Sequence, residues 1–188
     1  MKKFTPLPCL FALALIVATP VYAQTATRSG KMNREEFRAK VSAIRDEKKK
    51  ALVERMDTKM KELNAKRTAI LLRHLDKIEE ILNRIETRAL EVEKGGKDIA
   101  SVKTAVQKAK DAIAAARTAV NVQAAKTYII DITTEDKLGA AVSAARTTLA
   151  RDLQATHQAV VAARKSVREV LTALAKVVGE KLTNTTEK

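Results

Sequence analysis

The feature that most restricts the fold of this chain is the absence of proline after Pro20. Proline breaks helices because it lacks an amide hydrogen and its ring clashes with the preceding turn. From Gln24 to Lys188 the chain instead repeats apolar residues every three or four positions, the spacing of an amphipathic helix. The sequence therefore predicts an all-α fold.

Two stretches show the alternating steps of three and four that are typical of a coiled-coil seam. Their members are Leu71, Leu75, Ile78, Leu82, Ile85, Ala89 and Val92 in the first, and Ile99, Val102, Val106, Ala109, Ile113, Ala116 and Val120 in the second. Gly95 and Gly96 separate the seams and are suited to end a helix. We expect helices at about 33–94, 98–126 and 134–182.

The ends of these helices also have sequence signals. Asn33 is a good N-cap and Glu36 can complete a capping-box pair with it. Residues 127–133 are mostly β-branched and lack helical amphipathicity. We expect an ordered loop there, with Tyr128 and the following isoleucines closing the end of the bundle, and Thr133 capping the third helix.

The first 23 residues have the layout of a secretory signal peptide. Met1 to Lys3 is positively charged, Cys9 to Ala18 is apolar, and Val21 to Ala23 resembles a cleavage site. The apolar run is about half of the ~20 residues that span a bilayer. We expect cleavage after Ala23 and, since the signal looks bacterial, a periplasmic or extracellular location.

The remaining chain is organised as one domain. We expect a flexible tether at 24–32, a single helical coiled-coil domain at 33–182 and a frayed tail at 183–188. Because the only cysteine is Cys9, the mature chain has no disulfide and depends on packing for its stability.

The unequal helix lengths predict two overhangs. An elongated three-helix bundle, or antiparallel coiled coil, leaves the first half of helix 1 and the end of helix 3 without partners; the alternative is a long two-armed helical hairpin. Both overhangs keep apolar residues, and an exposed apolar stripe usually marks an interaction surface. The candidate interaction stripe consists of Phe37, Val41, Ile44, Leu52, Met56, Val167, Leu171, Leu174 and Val178.

The chain is strongly basic but the charge is spread along it. The formal net charge is +14, and removing Lys2 and Lys3 with the signal leaves 14 − 2 = +12. This pattern is typical of a solvated helical surface with mixed charges; the alternative is a surface that attracts anionic polymers, lipid headgroups or acidic proteins. Only Phe37 and Tyr128 are aromatic after the signal, too few for the stacking platforms of single-strand nucleic-acid binding. The lipid alternative needs bulky apolar residues on one face, whereas narrow seams favour contacts with other helices.

The sequence offers little for catalysis. His74 and His157 have no partner at metal-ligand spacing, so we expect no zinc site. We predict no catalytic, metal or cofactor-binding residue.

In its signal peptide, mature size, basic charge and long helices, the chain resembles the Skp-type periplasmic holdase chaperones. That family has strands before and after its helical arms, whereas here only residues 128–130 offer a strand, so no site is carried over. The sequence favours an exported non-enzymatic coiled-coil protein with a structural or interaction role, through self-association or a protein partner. The alternatives are a periplasmic holdase and a basic binder of anionic surface polymers.

Overall fold

The computed structural model describes residues 32–179. Four helices follow one another, α1 (Arg34–Ser42), α2 (Glu47–Lys94), α3 (Ala100–Ala125) and α4 (Leu138–Val178), with a single 3₁₀ turn at Glu135–Lys137 before α4. This part of the chain contains no strand, so the all-α prediction is confirmed. The predicted signal peptide, most of the predicted tether and the predicted tail lie outside the described residues. Met32, the last tether residue, is buried rather than free.

The prediction of one continuous helix at about 33–94 is wrong, because the chain turns between α1 and α2. Asp46 starts α2 by accepting hydrogen bonds from the amides of Lys48 and Lys49, at 2.9 and 3.2 Å. The Glu135 carboxylate accepts from the amides of Arg45 and Asp46, at 3.4 and 3.3 Å. These bonds satisfy backbone amides that would otherwise lack partners at the start of α2. The chain can therefore turn here although the segment contains no proline or glycine. The predicted capping box of Asn33 and Glu36 is present at the start of α1.

Helices α2, α3 and α4 pack against one another, with α3 antiparallel to both neighbours. Asn64 and Gln123 meet at one end of the α2–α3 contact, and Glu93 meets Lys103 at the other. Similarly, Lys126 of the α3 end contacts Asp152, and Lys97 before α3 contacts the last carbonyls of α4. The chain therefore reverses direction at 126–137, and the long-hairpin alternative is wrong.

The upper apolar core lies where all three long helices overlap. It contains all seven residues of the predicted second seam, from Ile99 to Val120. It also contains six of the seven residues of the first seam; the seventh, Val92, is partly buried. The contribution of α4 consists of Val160, Ala163, Val167, Val170 and Leu174. Gly96 has φ +85°, a left-handed conformation that favours glycine, and α2 ends there as expected.

The lower apolar core explains why the predicted overhangs are wrong. Below the end of α3, helix α1 folds back along α2, and the segment between α3 and α4 occupies the remaining side. Phe37, Val41 and Ile44 are 4–5% exposed in this core. Val167 and Leu174 are likewise buried, in the upper core, because α4 stays paired with α2 and α3 to its end. The continuous exposed stripe does not form.

Residues 126–134 form the expected ordered loop, with neither helix nor strand. Tyr128, Ile130 and Ile132 point into the lower core, while Ile129 is only partly buried. The loop runs along the bundle rather than across its end. Helix α4 begins at Leu138, later than predicted, and Thr133 does not cap it. Glu135 lies in the 3₁₀ turn before α4, and its carboxylate accepts hydrogen bonds from the amides of the α1–α2 turn.

Candidate functional site: a basic and apolar face, and a buried polar network

Most of the predicted interaction stripe is not available to a partner. Of its members, only Leu52 and Leu171 are clearly exposed, at 47% and 43%, and Met56 and Val178 are partly buried. A candidate interaction surface must therefore be sought among the sides of α2 and α4 that do not pack against other helices.

Four acidic residues of α2 mark the side of this helix that faces α3. Ion pairs of 2.6–2.9 Å join the two helices: Asp76 and Glu79 with Arg117, Glu86 with Lys110, and Glu93 with Lys103. These pairs are exposed, so each contributes little to stability. They nevertheless show which side of α2 faces α3.

The basic residues of α2 are concentrated on the opposite flank. Successive residues turn by about 100° in an α-helix. On that basis, the basic side chains within about 60° of Leu52 are Lys48, Lys49, Arg55, Lys59, Lys66, Arg67, Arg73, Lys77, Arg84 and Arg88. All are exposed, and Glu91 is the one acidic residue of α2 in the same sector.

Most of these cations are free of carboxylate partners within the described residues. Only Lys49, Arg84 and Arg88 form ion pairs, with Glu135, Glu80 and Glu91 respectively. The other seven make no ion pair in residues 32–179. The positive potential on this flank is therefore largely uncompensated.

Helix α4 extends the same surface. Its ion pairs with α3, Lys108–Glu169 and Lys126–Asp152, mark its α3 side. Four other residues of α4 lie on the flank towards α2, because they are about 100° or more around the helix axis from both of these acids. They are Arg146, Arg164, Arg168 and Leu171. We call the two adjoining flanks the α2/α4 face.

Bulky aliphatic side chains lie among these cations. Leu63 and Ile81 are 42% and 51% exposed, and with Leu52 and the partly buried Ile70 they fall within about 20° of one another on α2. The line from Leu52 to Ile81 is about 44 Å long at 1.5 Å per residue. The face is thus a narrow apolar line bordered by lysine and arginine.

The buried polar network lies between the two apolar cores. Asn64 Nδ2 donates to the carbonyls of Gln123 and Lys126, and Gln123 Nε2 donates to Asn64 Oδ1 and to the Tyr128 hydroxyl. Tyr128 donates to Asp152 Oδ2 at 2.9 Å. Asn64 therefore satisfies carbonyls at the end of α3, and the network anchors the chain where helix gives way to loop.

Gln123 Oε1 is buried and has no hydrogen-bond partner within residues 32–179. The network otherwise consists of an amide pair, a phenol and a carboxylate, which sets it apart from a nucleophile–base pair. Burial opposes the ionisation of Asp152, but hydrogen bonds from Lys126 and Tyr128 outweigh it and hold the pKa of Asp152 below its ordinary value. We interpret the network as a structural anchor.

The pKa of Tyr128 gives a direct test of this anchor. Burial raises the pKa of Tyr128 to about 12; the hydrogen bond from Gln123 opposes the rise and the one to Asp152 adds to it. From Gln24 onward Tyr128 is the only tyrosine, and the chain has no tryptophan, so phenolate absorbance reports this residue alone. We expect titration near pH 12 when folded and near pH 10 in denaturant.

The linked change in stability has a definite sign. The unfolded chain loses the phenolic proton first, so stability falls as the pH rises from about 10 to about 12. Replacing Asp152 with asparagine should lower the folded-state pKa of Tyr128. An ordinary pKa in the folded chain would contradict its buried position.

No group of three metal-ligating side chains occurs within residues 32–179, and both histidines are exposed. The described helices include none with the length and hydrophobicity of a membrane-spanning segment. Comparison with known proteins finds no matching family model, no similar curated protein and no similar solved structure.

Proposed function

We propose that this protein is an exported, non-enzymatic binding protein that engages a phosphate-bearing anionic partner through the α2/α4 face. The observation that carries this proposal is the segregation of charge on α2. Four of its acids pair with α3, whereas ten of its thirteen lysines and arginines lie on the outer flank, and seven of those ten form no ion pair within residues 32–179. Converging cations of this kind attract anions and steer their association.

Inorganic polyphosphate is a suitable probe, because it presents phosphate charge without any apolar group. The test variant is the triple substitution Lys59→Gln, Lys66→Gln and Lys77→Gln. These lysines are exposed and form no ion pair with any other described residue, so folding should be unaffected. We expect weaker binding and a log–log salt dependence shallower by about two to three, since about one counterion is released per contact.

A matched control removes the same charge elsewhere. Lys40, Lys94 and Lys176 are also exposed and unpaired within the described residues, but they lie off the α2/α4 face. Their replacement with glutamine should leave binding near the wild-type level. Equal losses in the two triple variants would show that net charge alone attracts the polyanion and would contradict a specific face.

A second candidate function is contact with a protein, including another copy of the chain, through the exposed aliphatic residues of the face. Leu52 and Leu171 are the members of the predicted stripe that favour it. Light scattering distinguishes self-association, because a monomeric mass at high concentration argues against it. The holdase alternative predicts suppression of client aggregation, for which the mostly buried stripe supplies less apolar surface than expected.

A further inference from the structure

We propose that the anionic partner of the α2/α4 face is the surface of a lipid bilayer that contains acidic phospholipids. This inference rests on the proposed function and assigns the class of ligand. It concerns peripheral contact, in which α2 lies along the headgroups without crossing the membrane.

The exposed aliphatic line is the first reason. Leu52, Leu63 and Ile81 remain about half exposed, although the chain buries its other long apolar seams in two cores. A hydrophilic polyanion gains nothing from contact with leucine and isoleucine. A bilayer surface does, because apolar side chains transfer into the boundary between headgroups and acyl chains.

The spacing of this line is the second reason. Its members are 11, 7 and 11 residues apart, or about 16, 10 and 16 Å along α2. A helical partner would need an apolar contact every three or four residues to form a seam. The line is too sparse for that, whereas a fluid bilayer accepts separate insertions at any spacing.

The arrangement of the cations is the third reason. Lysine and arginine flank the aliphatic line on both sides, for example Lys66 and Arg67 next to Leu63. Their long stems can lie beside apolar side chains while the charged ends reach lipid phosphates. The face thus combines the two contributions that bring an amphipathic helix to an anionic membrane, apolar insertion and electrostatic attraction.

Vesicle sedimentation tests the electrostatic part. The probe is a phosphatidylcholine vesicle with or without phosphatidylglycerol, and the protein is the predicted mature chain from Gln24, since both cores and the face lie in residues 32–179. We expect binding only to the anionic vesicles. The Lys59, Lys66 and Lys77 triple variant should bind about 100-fold more weakly, whereas the Lys40, Lys94 and Lys176 control should not.

A second pair of variants tests the apolar part and separates a bilayer from a soluble polyanion. Leu63→Ser with Ile81→Ser removes exposed residues of the line. Leu90→Ser with Val122→Ser removes residues of similar exposure, 46% and 48%, that lie off the face. We expect the first pair, and not the second, to weaken vesicle binding roughly tenfold or more while leaving polyphosphate binding unchanged.

The outcomes distinguish this inference from the proposed function. Polyphosphate binding without binding to anionic vesicles overturns the bilayer assignment and leaves an anion-binding face. Vesicle binding that is unchanged by the Leu63 and Ile81 substitutions also overturns the bilayer assignment, because the contact would be purely electrostatic. Failure to bind either probe overturns both. Circular dichroism of each variant establishes that the helices are intact.

Discussion

Replacing Leu75 with alanine should lower the free energy of unfolding by about 3 kcal/mol, within the range measured for buried leucines. Leu75 is 0% exposed and lies in the upper apolar core, where α2, α3 and α4 meet. Truncation removes buried methyl groups and leaves a cavity that close-packed helices fill only partly. The measurement is chemical denaturation followed by circular dichroism.

Leu63 provides a matched control for this prediction. It is on the same helix and is 42% exposed. The same substitution should cost less than about 1 kcal/mol there, because little apolar surface is lost and alanine favours helix. Similar losses of stability at both positions would contradict the assignment of the buried and exposed sides of α2. They would also contradict the location of the α2/α4 face, which depends on that assignment.

Replacing Asn64 with aspartate should destabilise the chain by about 3 kcal/mol or more. Asn64 is 4% exposed, and its Nδ2 donates to the carbonyls of Gln123 and Lys126. A carboxylate of the same shape would lose both donors and place a buried negative charge against those carbonyl oxygens. Asn83→Asp is the control, because Asn83 is an exposed residue of α2 and should tolerate the change within about 0.5 kcal/mol.

The pH dependence of this variant adds a second check. Protonation of the introduced carboxyl removes its charge and restores an O–H donor. The difference between Asn64→Asp and the wild type should therefore shrink as the pH falls through the folded-state pKa of that carboxyl. A stability difference independent of pH would indicate that the side chain at 64 is not buried in the polar network.

The seams from Leu71 to Val120 were predictable because their core positions are all apolar. The predicted second seam is buried in full, from Ile99 to Val120. Sequence reasoning failed in the first half of α2 because three core positions there are polar, Asp57, Asn64 and Thr68. The predicted stripe therefore included Leu52, which lies on the exposed flank.

The turn between α1 and α2 was missed for a related reason. The sequence contains neither proline nor glycine there, and the break depends on Glu135, which is distant in sequence. Asp46 was the available signal, since aspartate is a favoured N-cap. Because α1 folds back, the residues expected to overhang became a core.

The segregation of charge on α2 can be recognised only when the rotation of the helix in the bundle is known. Counted along the chain, the basic residues look evenly spread, because acids lie among them over most of α2. The contacts of Asp76, Glu79 and Glu86 with α3 show that these acids lie on the side of α2 that faces a neighbouring helix, away from the flank that carries most of its cations. The candidate face therefore could not be identified from linear composition.

The most direct test of the α2/α4 face is the local environment of single side chains during vesicle binding. The predicted mature chain contains no cysteine, so Leu63→Cys and Leu90→Cys each provide one attachment point for a polarity-sensitive fluorophore. With phosphatidylglycerol vesicles, we expect a blue shift and protection from an aqueous quencher at position 63, with neither at position 90. Equal responses at the two positions, or a response only at 90, would contradict the assignment of this face as the membrane contact.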